Sequence, residues 1–331
     1  MNRLASSDNY APPLETPVAL IIFNRPESTS RVFSAIAKAK PKKLLIISDG
    51  PRQSRAGEEK LVKECRRIAL SVDWECEVLT NFSDINLGCR DRVSTGLDWV
   101  FSQVGEAIIL EDDCLPSESF FAFASQMLEK YRKDENVGSI SGSNMPGYEY
   151  PIETSYLFSK FPMIWGWATW ARVWNKYDVE VPSWPQVKRA GLPSTILRTS
   201  KGRNFWIRAL DGVHKKRIDT WDYQLSLTQW INGYLSVIPS KNMISNIGFG
   251  SEATHTVNPN SVYSNSPRSE MEFPLIHPSE VRADDVHDLA IENEKFQTGV
   301  LNSVALKVFE ILPKKFQRRI VAAASRILNR K

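Results

Sequence analysis

Cysteine and histidine are scarce in this chain, four of each among 331 residues, and neither is arranged for a metal. Cys65, Cys76, Cys89 and Cys114 form no CxxC pair and join no histidine at zinc-site spacing, which excludes a structural zinc module and implies a reducing compartment. Long apolar runs are missing too: no stretch approaches the ~18–20 consecutive apolar residues of a membrane-spanning helix. Residues 1–16 are polar, contain prolines and show no basic stretch leading into an apolar segment of signal-peptide length, so they read as a flexible N-terminus. These absences predict a cytoplasmic protein. The turn after the first apolar run, Asn24-Arg25-Pro26-Glu27, is neither a GxGxxG turn nor a glycine-rich basic loop. A dinucleotide-dependent oxidoreductase and a sugar nucleotidyltransferase both lack their expected phosphate cradle there.

A hydrophobic content of 42% with 24% charged residues suits a globular chain with a substantial core. The net charge of +4 is unevenly spread. Residues 299–331 carry eight cations against Glu310 alone, a net +7, which leaves the rest of the chain near −3. No nucleic-acid-binding surface is therefore implied for the main body. In the tail, Phe316, Ile320, Ala323, Ala324 and Ile327 recur at helical spacing among the basic residues. That pattern predicts a basic amphipathic helical tail, which docks either on the protein body or, with its positive excess, on an anionic membrane surface through residues 300–331. The second reading places the protein on the inner face of the plasma membrane.

Val18–Phe23, Lys43–Ser48, Glu75–Thr80 and Ala107–Leu110 read as strands, with helical patterns over 27–39, 58–70 and 91–104 between them. Solid apolar strands alternating with helices predict an α/β fold whose parallel sheet is covered on both faces. Ligands in such sheets bind beyond the carboxyl ends of the strands. Asn24-Arg25, Asp49 and Glu111-Asp112-Asp113 fall at those ends, so one crevice should hold them all. Three adjacent carboxylates are unfavourable without a cation or ordered donors, and hard ions such as Mg²⁺ or Mn²⁺ prefer oxygen ligands. The structural alternative is that these acids only lead into the next helix, 118–131, for which Ser117 is a good cap.

Beyond Val137–Ser141 the regularity fades into loops rich in glycine, proline and aromatics. Phe161 to Trp170 reads either as core or as an aromatic platform for sugar rings, with Gly166 admitting a close backbone approach. Basic and apolar positions alternate over 187–218, as on a solvated helical face. Residues 222–231 have helical spacing, and 235–238 and 243–247 look like short strands. Residues 258–298 begin rich in proline, serine and asparagine and read as a surface excursion or linker.

Leu110-Glu111-Asp112-Asp113-Cys114-Leu115-Pro116, placed after the fourth strand, resembles the DxD-type metal motif of GT-A-fold glycosyltransferases. Within that group it looks like the motif of the N-acetylglucosaminyltransferase I family and of related bacterial family 2-like enzymes. The resemblance covers roughly residues 17–257 and does not extend to the tail. It implies a GT-A-type mixed, mainly parallel sheet, with a nucleotide-sugar-binding half over 17–142 and an acceptor-binding, catalytic half over 143–257. Carried over by position, Asp113 contacts a Mn²⁺ or Mg²⁺ ion, while Glu111 and Asp112 shape the site and reach ribose or bound water. Asn24, Arg25 and Asp49 hold the nucleotide base and ribose. Asn86-Leu87-Gly88-Cys89-Arg90 resembles the family 2 loop near the donor. Family 2 proteins usually have arginine and asparagine where Val93 and Ser94 stand here, a departure for which Arg90 or Arg92 is the candidate substitute.

Thr220-Trp221-Asp222-Tyr223-Gln224 resembles the segment that carries the catalytic carboxylate of inverting members. A carboxylate within reach of a sugar hydroxyl takes its proton as the new bond forms, and a single base opposite the leaving group implies inversion. Asp219 competes with Asp222 for this role, and the structural alternative for Asp222 is a helix cap. Ser245–Gly250 followed by His255 resembles the loop that closes over the donor diphosphate, with His255 on phosphate or metal. The expectation is a metal-dependent inverting glycosyltransferase that takes a sugar from a nucleotide-sugar donor of the UDP class to a cell-surface glycan or lipid-linked acceptor. The alternatives are a sugar nucleotidyltransferase and a non-catalytic carbohydrate or membrane-surface binding protein.

Overall fold

The computed structural model describes residues 13–144, 153–248 and 266–296. Four strands, β1 (Val18–Ile22), β2 (Lys43–Ser48), β3 (Glu77–Phe82) and β4 (Glu106–Glu111), alternate with α1 (Pro26–Ala39), α2 (Glu58–Ala69) and α3 (Gly88–Gln103). Then follow β5 (Cys114–Pro116), α4 (Ser119–Tyr131), β6 (Val137–Ser141), β7 (Tyr156–Ser159), β8 (Trp167–Trp170) and the short α5 (Ala171–Trp174). The rest comprises α6 (Trp184–Arg189), α7 (Leu192–Ile196), α8 (Ser200–His214), α9 (Asp222–Ile231), β9 (Leu235–Pro239), β10 (Ile244–Asn246) and α10 (Asp285–Lys295). No described helix is long and apolar enough to cross a membrane.

One eight-stranded sheet runs in the order β3-β2-β1-β4-β8-β6-β9-β7. Its first four strands are parallel; β8 is antiparallel to both β4 and β6, β6 and β9 are parallel, and β7 closes the edge antiparallel to β9. The apolar runs behave as their composition demands. Leu20, Leu44 and Ile108 pack on the α1 and α4 side with Val32, Ile36 and Phe120, whereas Ala19, Leu45 and Ile109 face α3 through Val93, Leu97 and Val100. Contact with α3 is close enough that a side-chain carbon on Gly96 would lie 2.7 Å from Ile47. A third apolar cluster, built on Trp184, Trp206, Leu210, Trp230 and Phe296, lies among α6 to α10.

Three expectations require correction. The glycine- and aromatic-rich stretch after β6 is not all loop: Trp167-Ala168-Thr169-Trp170 is an interior strand, and Trp167 and Trp170 are buried on opposite faces of the sheet. Residues 285–295 form a docked helix rather than a linker, joined to β7 by Ser159 Oγ, which donates to Asp288 at 2.5 Å. The N-terminus of α4 is not capped by Ser117; instead the Glu270 carboxylate accepts from the Glu118 and Ser119 amides at 3.2 and 2.8 Å. A remote glutamate does this better because it brings full charge to the exposed amides of a first helical turn. The tail over 299–331 lies outside the described residues.

Candidate active site

The carboxyl ends of β1, β2 and β4 open onto a cavity of about 600 Å³. Each strand delivers its polar residue there because the apolar run ends at the sheet rim. β1 ends in Phe23-Asn24-Arg25, β2 in Asp49 and β4 in Glu111-Asp112-Asp113, and all of these line the cavity.

Arg25 balances the acid cluster. Its guanidinium donates to Asp112 Oδ1 at 2.5 Å and to Asp113 Oδ2 at 2.7 Å. Burial opposes the charge on Arg25, but Asp112 and Asp113 outweigh it and hold the guanidinium above its ordinary value. The Phe23 amide donates to the second oxygen of Asp112 at 3.0 Å, so this buried carboxylate is consumed by the frame. Burial still pushes Asp112 up to about 6, against the opposing pull of Arg25. Glu111 has no hydrogen-bond or ion-pair partner of its own among the described residues, and burial followed by the charge of Asp113 pushes it up to about 8. Three carboxylates face one guanidinium, so the rim carries excess negative charge.

Asp49 holds a loop. Its oxygens accept from the Gly50 and Leu87 amides, each at 2.9 Å, from Gly88 N at 3.1 Å and from Asn86 Nδ2 at 2.9 Å. Burial raises its pKa, against the pull of these donors. Asp49 thereby fixes the loop that starts α3, where Gly88 has a φ of +81°. Asn24 Nδ2 donates to Glu58 at 2.9 Å, and Glu58 also receives Arg52 through its amide and guanidinium. Arg52, which also lies 5.2 Å from the Phe23 ring centre, and Glu58 were not anticipated from sequence; neither stands at a strand end.

The loop before α9 supplies further lining, Ile218 to Trp221, and leads into Asp222. Asp219 Oδ1 accepts from the Arg90 amide at 3.1 Å, so this acid serves the N-terminus of α3. Asp222 opens α9; its Oδ1 accepts from the Thr220 hydroxyl, while no hydrogen bond to Oδ2 is seen among the described residues. Asp222 and Asp113 line the same cavity. Cys89 lines this cavity too, and the pKa of its thiol is raised first by burial and then by Glu111, Asp219, Asp222 and Asp113. Arg90 does not line the cavity; its guanidinium pairs with Glu180 and Asp91. Arg92 does line it, anchored on Asn81 Oδ1 at 2.6 Å.

The small ribbon of β5 and β10 brings Asn246 to the rim beside Asp113, whose carbonyl accepts the Ile247 amide at 2.8 Å. His255 lies outside the described residues. No three His, Cys, Asp or Glu side chains among the described residues converge tightly enough to enclose a metal by themselves. A hard divalent ion in such sites takes one or two carboxylates and completes its shell with water and substrate phosphates. Glu111, without a side-chain partner among the described residues and adjacent in the rim to Asp113, fits that kind of open donor set.

No protein-family model matches the chain, and no curated protein sequence matches it. Solved structures with a similar path include the mannosyltransferase PcManGT from Pyrobaculum calidifontis in complex with GDP-Man and Mn²⁺, at 13% identity and a TM-score of 0.39 over 70% of this chain and 57% of that one. TarS from S. aureus gives 9% identity and a TM-score of 0.39 over 70% and 59% of the two chains. A UDP-glucose pyrophosphorylase complexed with UDP-glucose gives 11% identity and a TM-score of 0.34 over 68% and 91%. The chain thus spans less than two thirds of the mannosyltransferase and TarS chains. At these scores the likeness carries no functional argument, and the function rests on the site.

Proposed function

We propose that the protein is a metal-dependent, inverting glycosyltransferase that moves a sugar from a nucleotide-sugar donor of the UDP class to a glycan or lipid-linked acceptor of the cell surface. The observation that carries this reading is the shared cavity of Asp113 and Asp222, two acids 109 positions apart in sequence that line one space. A site that only bound carbohydrate would need no such division. A nucleotidyltransferase reading leaves Asp222 without a task.

In this reading Asp113 and Glu111 would hold Mn²⁺ or Mg²⁺, which as a Lewis acid neutralises charge on the departing diphosphate. Arg25 keeps Asp113 in place and limits repulsion along the rim. Asp222 Oδ2 accepts the proton of the acceptor hydroxyl while that oxygen bonds to the anomeric carbon. The bond from this carbon to the diphosphate oxygen breaks, and its electron pair leaves with the nucleoside diphosphate. Thr220 holds the other oxygen of Asp222 and so orients the base.

Asp113→Ala and Asp222→Asn should differ in kind. Thermal stabilisation by a panel of nucleotide sugars, with and without Mn²⁺, reports donor binding through mass action. Asp113→Ala is expected to lose the Mn²⁺-dependent part of that stabilisation. Asp222→Asn keeps it and loses turnover by roughly a hundredfold or more. Equal donor stabilisation in both variants contradicts the division of labour.

A further inference from the structure

A second cavity, of about 400 Å³, adjoins the crevice. The two share Ile164, Trp165, Asp222 and Tyr223 as a common wall, so the proposed base stands between them. Beyond Asp222 the lining changes character. Phe161, Trp165, Phe205, Trp206, Tyr223 and Phe296 supply six aromatic rings. These rings brace one another: Phe205 stacks on Phe296 at 4.8 Å, and Trp206 meets Tyr223 edge-on at 5.3 Å. The platform is preformed, because its geometry is set by ring-to-ring packing across α8, α9 and the end of α10.

Charge is the second property of this lining. Asp222 and Glu294 are its charged members, and no Lys, Arg or His is found among the described lining residues. A phosphate or carboxylate entering the cavity would meet like charge, and no cationic donor among the described lining residues, in a setting less screened than bulk water.

Building on the transferase reading, we infer that this cavity is the acceptor pocket and that it takes the uncharged end of a glycan. The C–H faces of a neutral sugar stack on the rings, and its hydroxyl reaches Asp222. The volume, near the lower end of the roughly 300–1,000 Å³ typical of small-ligand pockets, holds roughly one or two sugar rings. A charged carrier therefore lies at least that far from the accepting hydroxyl. A single sugar attached directly to a diphosphate is a poor acceptor.

Saturation-transfer NMR on the full chain tests this with defined probes: methyl glycosides of neutral hexoses and N-acetylhexosamines, against methyl glucuronide and glucose 1-phosphate. The variants are Phe205→Ala, which removes one face of the platform, and Glu294→Lys, an exposed change that adds a cation to the lining without touching the core. The wild-type protein is expected to bind neutral glycosides, roughly tenfold or more weakly once Phe205 is truncated. Glu294→Lys is expected to admit glucose 1-phosphate. Stabilisation by UDP and GDP, measured on the same samples, reports the crevice separately. Nucleotide binding combined with preference for the anionic probes, or with no binding of neutral glycosides, overturns the acceptor inference alone. Absence of any nucleotide binding removes the transferase reading on which the inference rests, and the inference falls with it.

Discussion

A methyl group on Gly248 would lie 2.2 Å from Asp113 Oδ2 and 2.6 Å from Arg25 Nη1, closer than atoms can approach. The backbone cannot simply retreat, because the Gly248 amide donates to Asn246 Oδ1 at 2.9 Å and Asn246 is paired with Cys114 in the ribbon. Gly248→Ala is therefore expected to displace the Asp113–Arg25 pair, at a cost of about 1–3 kcal/mol in stability. It should also weaken Mn²⁺-dependent nucleotide-sugar binding. Denaturant melts and ligand-dependent thermal shifts check both effects, and an unchanged pair of values would show that the loop yields instead. Much of the site was legible at this scale: strand-end carboxylates such as Glu111 and Asp113 announce themselves by following apolar runs. What each polar side chain does was not. Asp49 and Asn24 do reach the crevice, but loop amides and Glu58 occupy them, and partners that distant in sequence leave no local signal. The choice between Arg90 and Arg92 was undecidable for a similar reason. Residues two apart on a helix point in nearly opposite directions, and only the seating of α3 decides which one faces the crevice.

Among elements, α10 is the one whose role the sequence concealed most. Its N-cap is Asp284, whose side chain accepts from the Val286 and His287 amides. Its Glu292 accepts from the Arg198 and Thr199 amides at 2.9 and 2.7 Å and from the Thr199 hydroxyl, so one helix secures the start of another. Asp288 docks it on β7, and burial pushes that carboxyl up to about 6 despite donors from Ser159 and Lys160. The folded value thus lies above the unfolded one, near 3.9, and folding favours the protonated form. The contribution of Asp288 to stability is complete below about pH 4 and is lost as the pH rises through about 6. Relative to Asp288→Asn, whose side chain stays neutral, the wild-type protein should lose about 1–3 kcal/mol between pH 4 and pH 7. Urea unfolding of both proteins across that range measures it, and a pH-independent difference would refute the assignment. Strands β1, β2 and β4 were readable because burial on both faces leaves a solid apolar run. Strand β8 was not, since a four-residue element between a glycine and a helix offers too few positions to show a period. The acids of α10 fall in a stretch read from the sequence as a surface excursion or linker, whereas two of them, Asp288 and Glu292, are spent on buried contacts.

For the whole molecule, the uneven charge is the property that packing does not explain. Residues 299–331 hold a net +7 while the remainder is near −3, so an anionic bilayer would attract one end of the chain and weakly repel the rest. Each cation near an anionic leaflet contributes about 1 kcal/mol, and the attraction falls off within a Debye length. The point of attachment matters: the described chain ends at Phe296, which is itself a wall of the proposed acceptor pocket. A tail that binds lipid would hold that pocket within reach of the free end of a membrane-bound glycan, with the charged carrier left at the surface, where the pocket has no place for it. The 331-residue chain is therefore expected to sediment with vesicles containing anionic lipid at low salt and to be released at high salt. The chain ending at Phe296 keeps the aromatic cluster, so its melting temperature should stay close to that of the full chain while vesicle binding is lost. Equal sedimentation of the two forms would place the lipid contact elsewhere. Binding that survives high salt would show that burial of the apolar positions, rather than charge, holds the tail on the bilayer.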